Sequence, residues 1–599
     1  MHFENLSNLG LAVATAGLIG AVAAPAPAHA CGGFFCSAAN PVNQAAEQII
    51  FVDNPDGTVT AVIQIMYEGP SESFAWVLPV PGVPDVEVSS DQALDRLKQA
   101  TNPLYQLNTV FDGECGFFPS PVAAAGGDFA VAEDGGGGVM VQAEAQVGPY
   151  DYVVISVDPT LDDAAQVATD WLTENGYDVT DLGPDVLRPY LDDGLNLVAF
   201  RLTKGNDSGS IRPVMLTYES DSPMIPIRPT AVAANDDMGV LVWVLGSERA
   251  IPENYKGLVL NEALIDWFNP NNNYNEVVSA AADEAGGQGF VTEFAGDSSA
   301  FENTILVPWE TSNWESFSSQ NHTDPTTMIR DATNNFGGWD GFDDALRASV
   351  TLPDGVDYGD FKLCIACYTD EAGFALDTDQ FLQNLFELVY KPMLDTQELI
   401  NSRPYMTRLY TTMSAEEMTI DPVFDFNPDL DDVDNFHQVD RVVRCDDANV
   451  DPNSQPWSVA LPQGDTVEGT EFGVWPIAMD EQPAARQILQ FATSGEPEMV
   501  MDLSDMVSDM VDDTNADTMS PDSGDDGVVA DAGVMPNEGA TGNGGLGTDS
   551  MGGAGELPGE GDGSGSGSSG CAVGGSPSGA AAGWLAVLGM LLTRRRRRR

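Results

Sequence analysis

The sequence predicts an α+β fold, β-rich and mixed with several helices, followed by a disordered acidic linker and a short C-terminal membrane helix. Three observations predict it. Alternating, β-branched runs recur between residues 48 and 245, as in half-buried strands. Segments with apolar residues at helical spacing are scattered among them. From Ser494 to Gly570 the aromatic residues vanish and Gly, Ser, Asp and Met dominate, a composition that builds no core.

The elements follow in chain order. Gln48–Val52 and Thr58–Tyr67 flank Asn54-Pro55-Asp56-Gly57, a turn signal, and predict a hairpin. Asp91–Gln99 and Leu161–Asn175 have helical spacing, the second closed by Gly176 as a C-cap. Strands are expected at Leu195–Leu202, Arg212–Tyr218 and Val240–Leu245, and another across Phe361–Tyr368. Gln380–Tyr390 carries Phe381, Leu382, Leu385 and Leu388 on one face and is expected to stop near Pro392, which has no N–H to donate. Ser414 with Glu417 three residues on reads as a capping box opening a helical turn. Met499, Leu503, Met506 and Met510 repeat at helical spacing, for which a short amphipathic helix is preferred to a Met-rich copper site.

The two ends suggest export and anchoring. Leu9–Ala24 is apolar and uncharged, Pro25 and Pro27 break it, and Ala28-His29-Ala30 gives a small-x-small cleavage pattern, so residues 1–30 read as a signal peptide cut after Ala30. Ordinary cleavage is preferred to lipidation of Cys31, because Ala28 and His29 stand where a lipoprotein box begins. At the other end come Gly570-Cys571, an apolar run Ala580–Leu592, and six arginines, Arg594–Arg599. The positive-inside rule keeps the arginines cytoplasmic and everything before the helix outside. The expected organisation is a signal peptide (1–30), an exported domain of one or two subdomains (31–490), a linker (491–570) and a C-terminal tag (571–599).

Charge and cysteines narrow the class. The chain holds 93 acidic and 24 basic residues, a net charge of -69, with only five lysines. Such a surface repels nucleic acid and anionic lipid and stays soluble by self-repulsion. Setting Cys571 aside leaves six cysteines, Cys31, Cys36, Cys115, Cys364, Cys367 and Cys445, an even set suited to three disulfides in an oxidising compartment.

Two resemblances rest on particular residues. The order Cys571, short apolar helix, arginine cluster is similar to the C-terminal sorting tags of myxobacterial surface proteins. That likeness implies cutting near Cys571 by a membrane sorting protease and lipid attachment there, although the Cys motif is poorer than the family's. The motifs Cys31-Gly32-Gly33-Phe34-Phe35-Cys36, Pro41-Val42-Asn43-Gln44, Phe74-Ala75-Trp76-Val77-Leu78-Pro79-Val80-Pro81, Gly148-Pro149-Tyr150-Asp151, Pro226-Ile227-Arg228-Pro229, Thr407-Arg408-Leu409-Tyr410-Thr411-Thr412 and Asp421-Pro422-Val423-Phe424 resemble an exported bacterial family, domain of unknown function 2330. That likeness implies no activity.

The chemistry legible in the sequence is sparse. Only His322 and His437 follow the signal peptide, which disfavours zincin, two-His and Ser-His-Asp sites. No G-x-S-x-G elbow or G-x-x-x-x-G-K-[ST] loop occurs. His437 reads as a solvated histidine among carboxylates rather than a metal ligand. Cys364-Ile365-Ala366-Cys367 reads as a structural disulfide in preference to zinc binding or redox chemistry. Asp425, Asn427, Asp429 and Asp431 place oxygens at every second position, as a calcium loop does, but Leu430 and Phe436 stand where an EF-hand needs Gly and Glu; a solvated acidic turn is the default. The sequence therefore favours a non-enzymatic, surface-anchored envelope protein with a binding, adhesion or structural role. It touches the membrane through its tag, takes an unidentified extracellular ligand, and needs no cofactor unless calcium. The alternatives are a secreted hydrolase using paired carboxylates and a calcium-stabilised adhesin.

Overall fold

The expected hairpin is the seed of the largest sheet. Asn43–Asp53 (β1) and Thr58–Glu68 (β2) pair antiparallel across the turn. Gly57 adopts φ 84°, where a Cβ is penalised, and Asp56 Oδ1 accepts from the Thr58 amide. In this computed structural model the described residues are 34–35, 43–68, 75–113, 140–147, 150–158, 161, 163–175, 177, 183–202, 212–232, 234–445, 451–479 and 482–520. The signal peptide, Cys31, Cys36, Cys115, Gly176, the linker beyond 520, Cys571, the apolar run and the arginine cluster lie outside them.

Eight further strands complete this sheet: Asp85–Val88 (β3), Val214–Glu219 (β4), Ala234–Gly246 (β5), Lys256–Leu260 (β6), Gly289–Asp297 (β7), Tyr405–Met413 (β8), Ala485–Gln490 (β9) and Glu498–Asp502 (β10). Their spatial order is β10-β9-β6-β7-β8-β5-β1-β2-β4-β3. β5 runs parallel to β1 and β6 parallel to β7, while the other pairs are antiparallel. The fold is thus mixed α+β, with the strands expected near residues 48–67, 195–202, 212–218 and 240–245 all present.

Both faces of the sheet are covered, and the alternation within β5 shows how. Val240, Val242 and Val244 pack against a second sheet of five strands through Trp76, Leu78, Val198 and Phe200. That second sheet is backed by helices Ala164–Glu174 and Gly183–Asp192 through Trp171, Leu172 and Leu187. Leu241, Trp243 and Leu245 point the other way, into a helical layer containing Asp91–Thr101 (α1) and the helices between 308 and 401. Beyond it on the same face, Tyr274–Glu284 (α2) packs with β6, β9, a four-stranded sheet and the helix Ser504–Thr518.

Three local expectations are corrected. Phe361–Tyr368 is helical, as Tyr358–Leu363 and Ile365–Tyr368; the Asp357 side chain caps the Asp360 amide at 2.8 Å and Phe361 is fully buried. The helix through Phe381 does not stop at Pro392. Thr378–Leu385 passes through a π-turn, Phe386–Tyr390, into Lys391–Asn401. Proline leaves the Leu388 carbonyl without the amide four residues on, and buried Arg212 donates to it through Nη2 at 2.5 Å. Gly341, at φ 78°, makes room: a Cβ there would lie 2.4 Å from the Leu388 oxygen. Third, the folded body continues past 490, where a linker was expected. β10 pairs with β9, and the helix Ser504–Thr518 buries Val507, Met510 and Val511 while Met506 stays exposed.

Candidate functional site

Strand alternation lays out the floor of a cleft of about 880 Å³ between α1 and α2. On this face Arg408, Tyr410 and Thr412 of β8 stand beside Trp243, Leu241 and Gly239 of β5, which in turn stand beside Ile50, Gln48 and Ala46 of β1. A register shift between Thr292 and Phe294 in β7 interrupts the ladder at Glu293, and such bulges re-aim side chains. Gly239 has a local role: a Cβ there would sit 3.1 Å from the Tyr410 hydroxyl, so glycine lets the phenol lie over the strand.

One end of the cleft is a closed polar network. Arg408 Nε donates to Glu293 Oε2 at 2.5 Å, Nη1 to the Lys98 carbonyl and Thr101 Oγ1, and Nη2 to Asn102 Oδ1 at 2.8 Å. Its guanidinium also lies 5.7 Å from the Trp243 ring. Glu293 Oε1 accepts from the Tyr274 hydroxyl at 2.7 Å. The two charged side chains are 4% and 1% exposed, so the pair is desolvated but supplied with hydrogen bonds, the condition under which a buried ion pair is tolerated. Burial, reinforced by Glu293, pushes the Tyr274 phenol well above its ordinary range. Burial and then Glu262 do the same to Tyr105, while Tyr410 is pushed up to about 12 by burial and Glu293. All three remain neutral hydroxyls at physiological pH.

Other groups in the cleft are not satisfied. Gln48 is 2% exposed, yet its Oε1 has no hydrogen-bond partner and its Nε2 meets only the Met66 sulfur at 4.0 Å. The Lys98 amine makes no hydrogen bond or ion pair among the described residues. Burial and then Arg408 push it below the ordinary lysine value. At the Thr412 end four acids crowd together. Desolvation, Asp283 and Asp236 push Asp237 up; desolvation raises Glu417, with Asp283 adding to it. Asp237 is also the one non-glycine at positive φ among the described residues, 52°, a conformation concentrated at functional sites. Glu417 also holds half of the expected capping box, accepting the Ser414 amide at 2.7 Å, while Ser414 Oγ accepts from the Asp237 amide.

A smaller cavity of about 230 Å³ shares Tyr105, Tyr274 and Glu293 as a wall. His437 Nδ1 lies 3.2 Å from Glu262 Oε1, and the imidazole stacks on Tyr105 at 4.5 Å. His437 is therefore partnered and half-buried rather than solvated. His322 meets the Phe317 carbonyl at 2.8 Å.

The calcium candidates do not converge. Asn427 is fully buried; its Nδ2 donates to the carbonyls of Ala492 and Gly495, and its Oδ1 accepts from the Asp429 amide. Asp429 accepts from the Gly495 amide, Asp425 from the Phe426 amide, and Asp431 offers its backbone carbonyl to Arg249. These residues tie a loop to the segment before β10. Among the described residues no group of three or more His, Cys, Asp or Glu is placed to hold a metal ion. Cys364 and Cys367 form a disulfide between the two short helices, and buried Cys445 is disulfide-bonded as well.

The family described as "Uncharacterized protein conserved in bacteria (DUF2330)" matches residues 25–334. The chain belongs to this family. The match covers the cleft residues from Ala46 to Glu293, whereas Arg408, Tyr410 and Thr412 of this DUF2330 protein lie beyond it. No curated protein and no solved structure matches the chain.

Sequence reasoning missed the cleft, although signals were present. Lys98 falls on the Leu94–Leu97–Thr101 stripe of α1, where an apolar residue is expected. Gln48 and Arg408 are long polar side chains in the cleft-facing rows that also hold Ile50 and Met406.

Proposed function

We propose that this chain is an exported, envelope-anchored binding protein that holds a small polar ligand in the cleft between α1 and α2. The cleft carries the reading. It is of ligand size, lies at the seam between two packed blocks, and combines tyrosine rings with a few convergent polar groups. The leader, the cysteine pattern and the tripartite tail support placement at the outer surface, with Cys571 as the processing site and the membrane helix holding the precursor.

Two measurements test this. Amino acids, short peptides and oligosaccharides are titrated into the full-length protein and followed by thermal melting. A ligand at a hundred times its Kd stabilises by about 2.7 kcal/mol and raises Tm. The rise is expected to disappear in Gly239→Trp, which fills the cleft over Tyr410. No rise with any class would sink the binding role. Mass spectrometry of protein from envelope fractions tests the placement. An N-terminus at Cys31, a missing arginine block and a modified Cys571 are expected; an intact tail would overturn the anchor. The hydrolase alternative draws on the carboxylate pair Asp237 and Asp283, and turnover of a titrated compound would reveal it.

A further inference from the structure

The cleft is electrically two-ended: Lys98 lines one end, and the exposed carboxylates Asp237 and Asp283 line the other. The floor strand β8 gives the scale. Arg408 lies under the C-terminal end of α1, whose Lys98 carbonyl it contacts; Thr412 lies under α2, bonded to Ser279 at 2.9 Å. Four residues of strand separate them, about 13 Å at 3.2–3.4 Å per residue.

At the first end Arg408 is matched by Glu293, and the Lys98 amine, on which Asp95 and Glu293 act only at longer range, is left without a hydrogen-bonded partner. Its isolation is specific to it. Lys256 bonds to Gln490, Lys362 to Asp343, and Lys391 to Glu87 and Asp395. Among the described lysines, Lys98 alone has no such partner, and it faces the cleft. At the other end Asp237 and Asp283 face the cleft with no basic residue lining it beside them, and Asp283 disfavours ionisation of Asp237 and Glu417. Between the ends, in the row Tyr410–Leu241–Gln48, lies a fully buried amide oxygen with nothing donating to it. A buried unpaired acceptor is costly to folding, and a ligand N–H donating to it would relieve that cost.

We infer, on the reading that this cleft is a binding site, that its ligand is a short peptide with both ends free. Lys98 holds the terminal carboxylate, Asp237 and Asp283 hold the terminal ammonium, and Gln48 Oε1 accepts a main-chain N–H. An extended peptide reaches at most about 3.3–3.6 Å per residue, so about three to four residues bridge the poles. The neutral hydroxyls of Tyr105 and Tyr410 supply donors that do not depend on the side chains of the ligand, the Tyr274 hydroxyl being engaged with Glu293. The net charge of -69 also works against a polyanion and leaves a zwitterion or weak cation free to approach. A neutral sugar would engage Gln48 and the tyrosines but would leave the cationic and the anionic pole without a counter-charge.

Calorimetric titration of the full-length protein with trialanine, N-acetyl-trialanine, trialanine amide and maltotriose tests this. Trialanine is expected to bind, and blocking either end to weaken it tenfold or more. In Lys98→Met trialanine and its amide should bind alike. In Asp237→Asn/Asp283→Asn trialanine and its N-acetyl form should bind alike, which separates loss of a pole from loss of folding. Equal affinity of free and blocked peptides for the unmodified protein would overturn the assignment. Maltotriose binding that survives Lys98→Met, with no tripeptide binding, would overturn the peptide and leave the cleft a binding site. Binding of neither probe would overturn the peptide, and a flat melting screen alongside it would remove the binding role as well.

Discussion

The two ends of the cleft are built from the same kinds of residue and differ in completeness. Within the Arg408 network each charged group has a partner, Lys98 beside it excepted: Glu293 accepts from Arg408 and Tyr274, and the guanidinium reaches a carbonyl, a hydroxyl and an amide besides. At the Asp237 end acids face acids across a strained backbone position. The difference teaches which polar residues hold the fold and which are kept in spite of it. A satisfied buried pair holds strands β7 and β8 to the end of α1. An unsatisfied one adds repulsion and is retained where something else completes it.

That contrast can be broken by mutation, and the largest effect should come from the satisfied end. Arg408→Ala leaves Glu293 buried without its cation and should cost about 3–5 kcal/mol in denaturant unfolding. A loss under 1 kcal/mol would show that the network is not structural. Next, Gly239→Ala brings a Cβ to 3.1 Å from the Tyr410 hydroxyl and should displace the phenol, weakening ligand binding several-fold while shifting stability by less than about 1 kcal/mol.

The groups outside that network, Lys98 at one end and Asp237 at the other, should respond in the opposite direction. The folded-state pKa of Lys98 is lowered, so folding penalises the charged amine at neutral pH. That penalty shrinks as pH rises from the lowered value toward the ordinary lysine value. Lys98→Met should therefore raise Tm at pH 7 and lose its advantage at high pH, a trade of stability against binding. Smallest of all, Asp237→Asn should give a slight gain at pH 7, because the folded-state pKa of Asp237 is raised. The gain should fade as pH drops through that raised value and be gone below the ordinary carboxylate value. A loss of stability at pH 7 in either variant would show that these charges are compensated after all. Asparagine also tolerates the positive φ, so the backbone is left undisturbed.

How much of this was legible depended on the range of the interactions. The hairpin around Gly57, helix α1 and the strand through Val240 carry their own periodicity and turn chemistry, and they form where expected. Pro392 misled because the group that makes it tolerable, Arg212, comes from a distant part of the chain. The segment from Glu498 to Thr518 misled because its acidic composition outweighs three buried residues, Val507, Met510 and Val511. The acidic run from Asp425 to Asp431 looked like a ligand set, but its oxygens close a loop. Lys98 and Gln48 were readable only as exceptions to an apolar stripe and row, and their meeting in one cleft needed the sheet register.

The position of β8 has a consequence for how the protein is made. Strand Tyr405–Met413 sits between β5 and β7, both of which lie within residues 25–334. A chain emerging from its N-terminus holds two bare strand edges until residue 413 arrives, and such edges invite pairing with other chains. Long-range closure of this kind is also slow. The matched stretch is therefore a unit of ancestry rather than a unit of folding. A polypeptide cut after residue 334 should aggregate, and a newly made one depends on its second half to close the sheet.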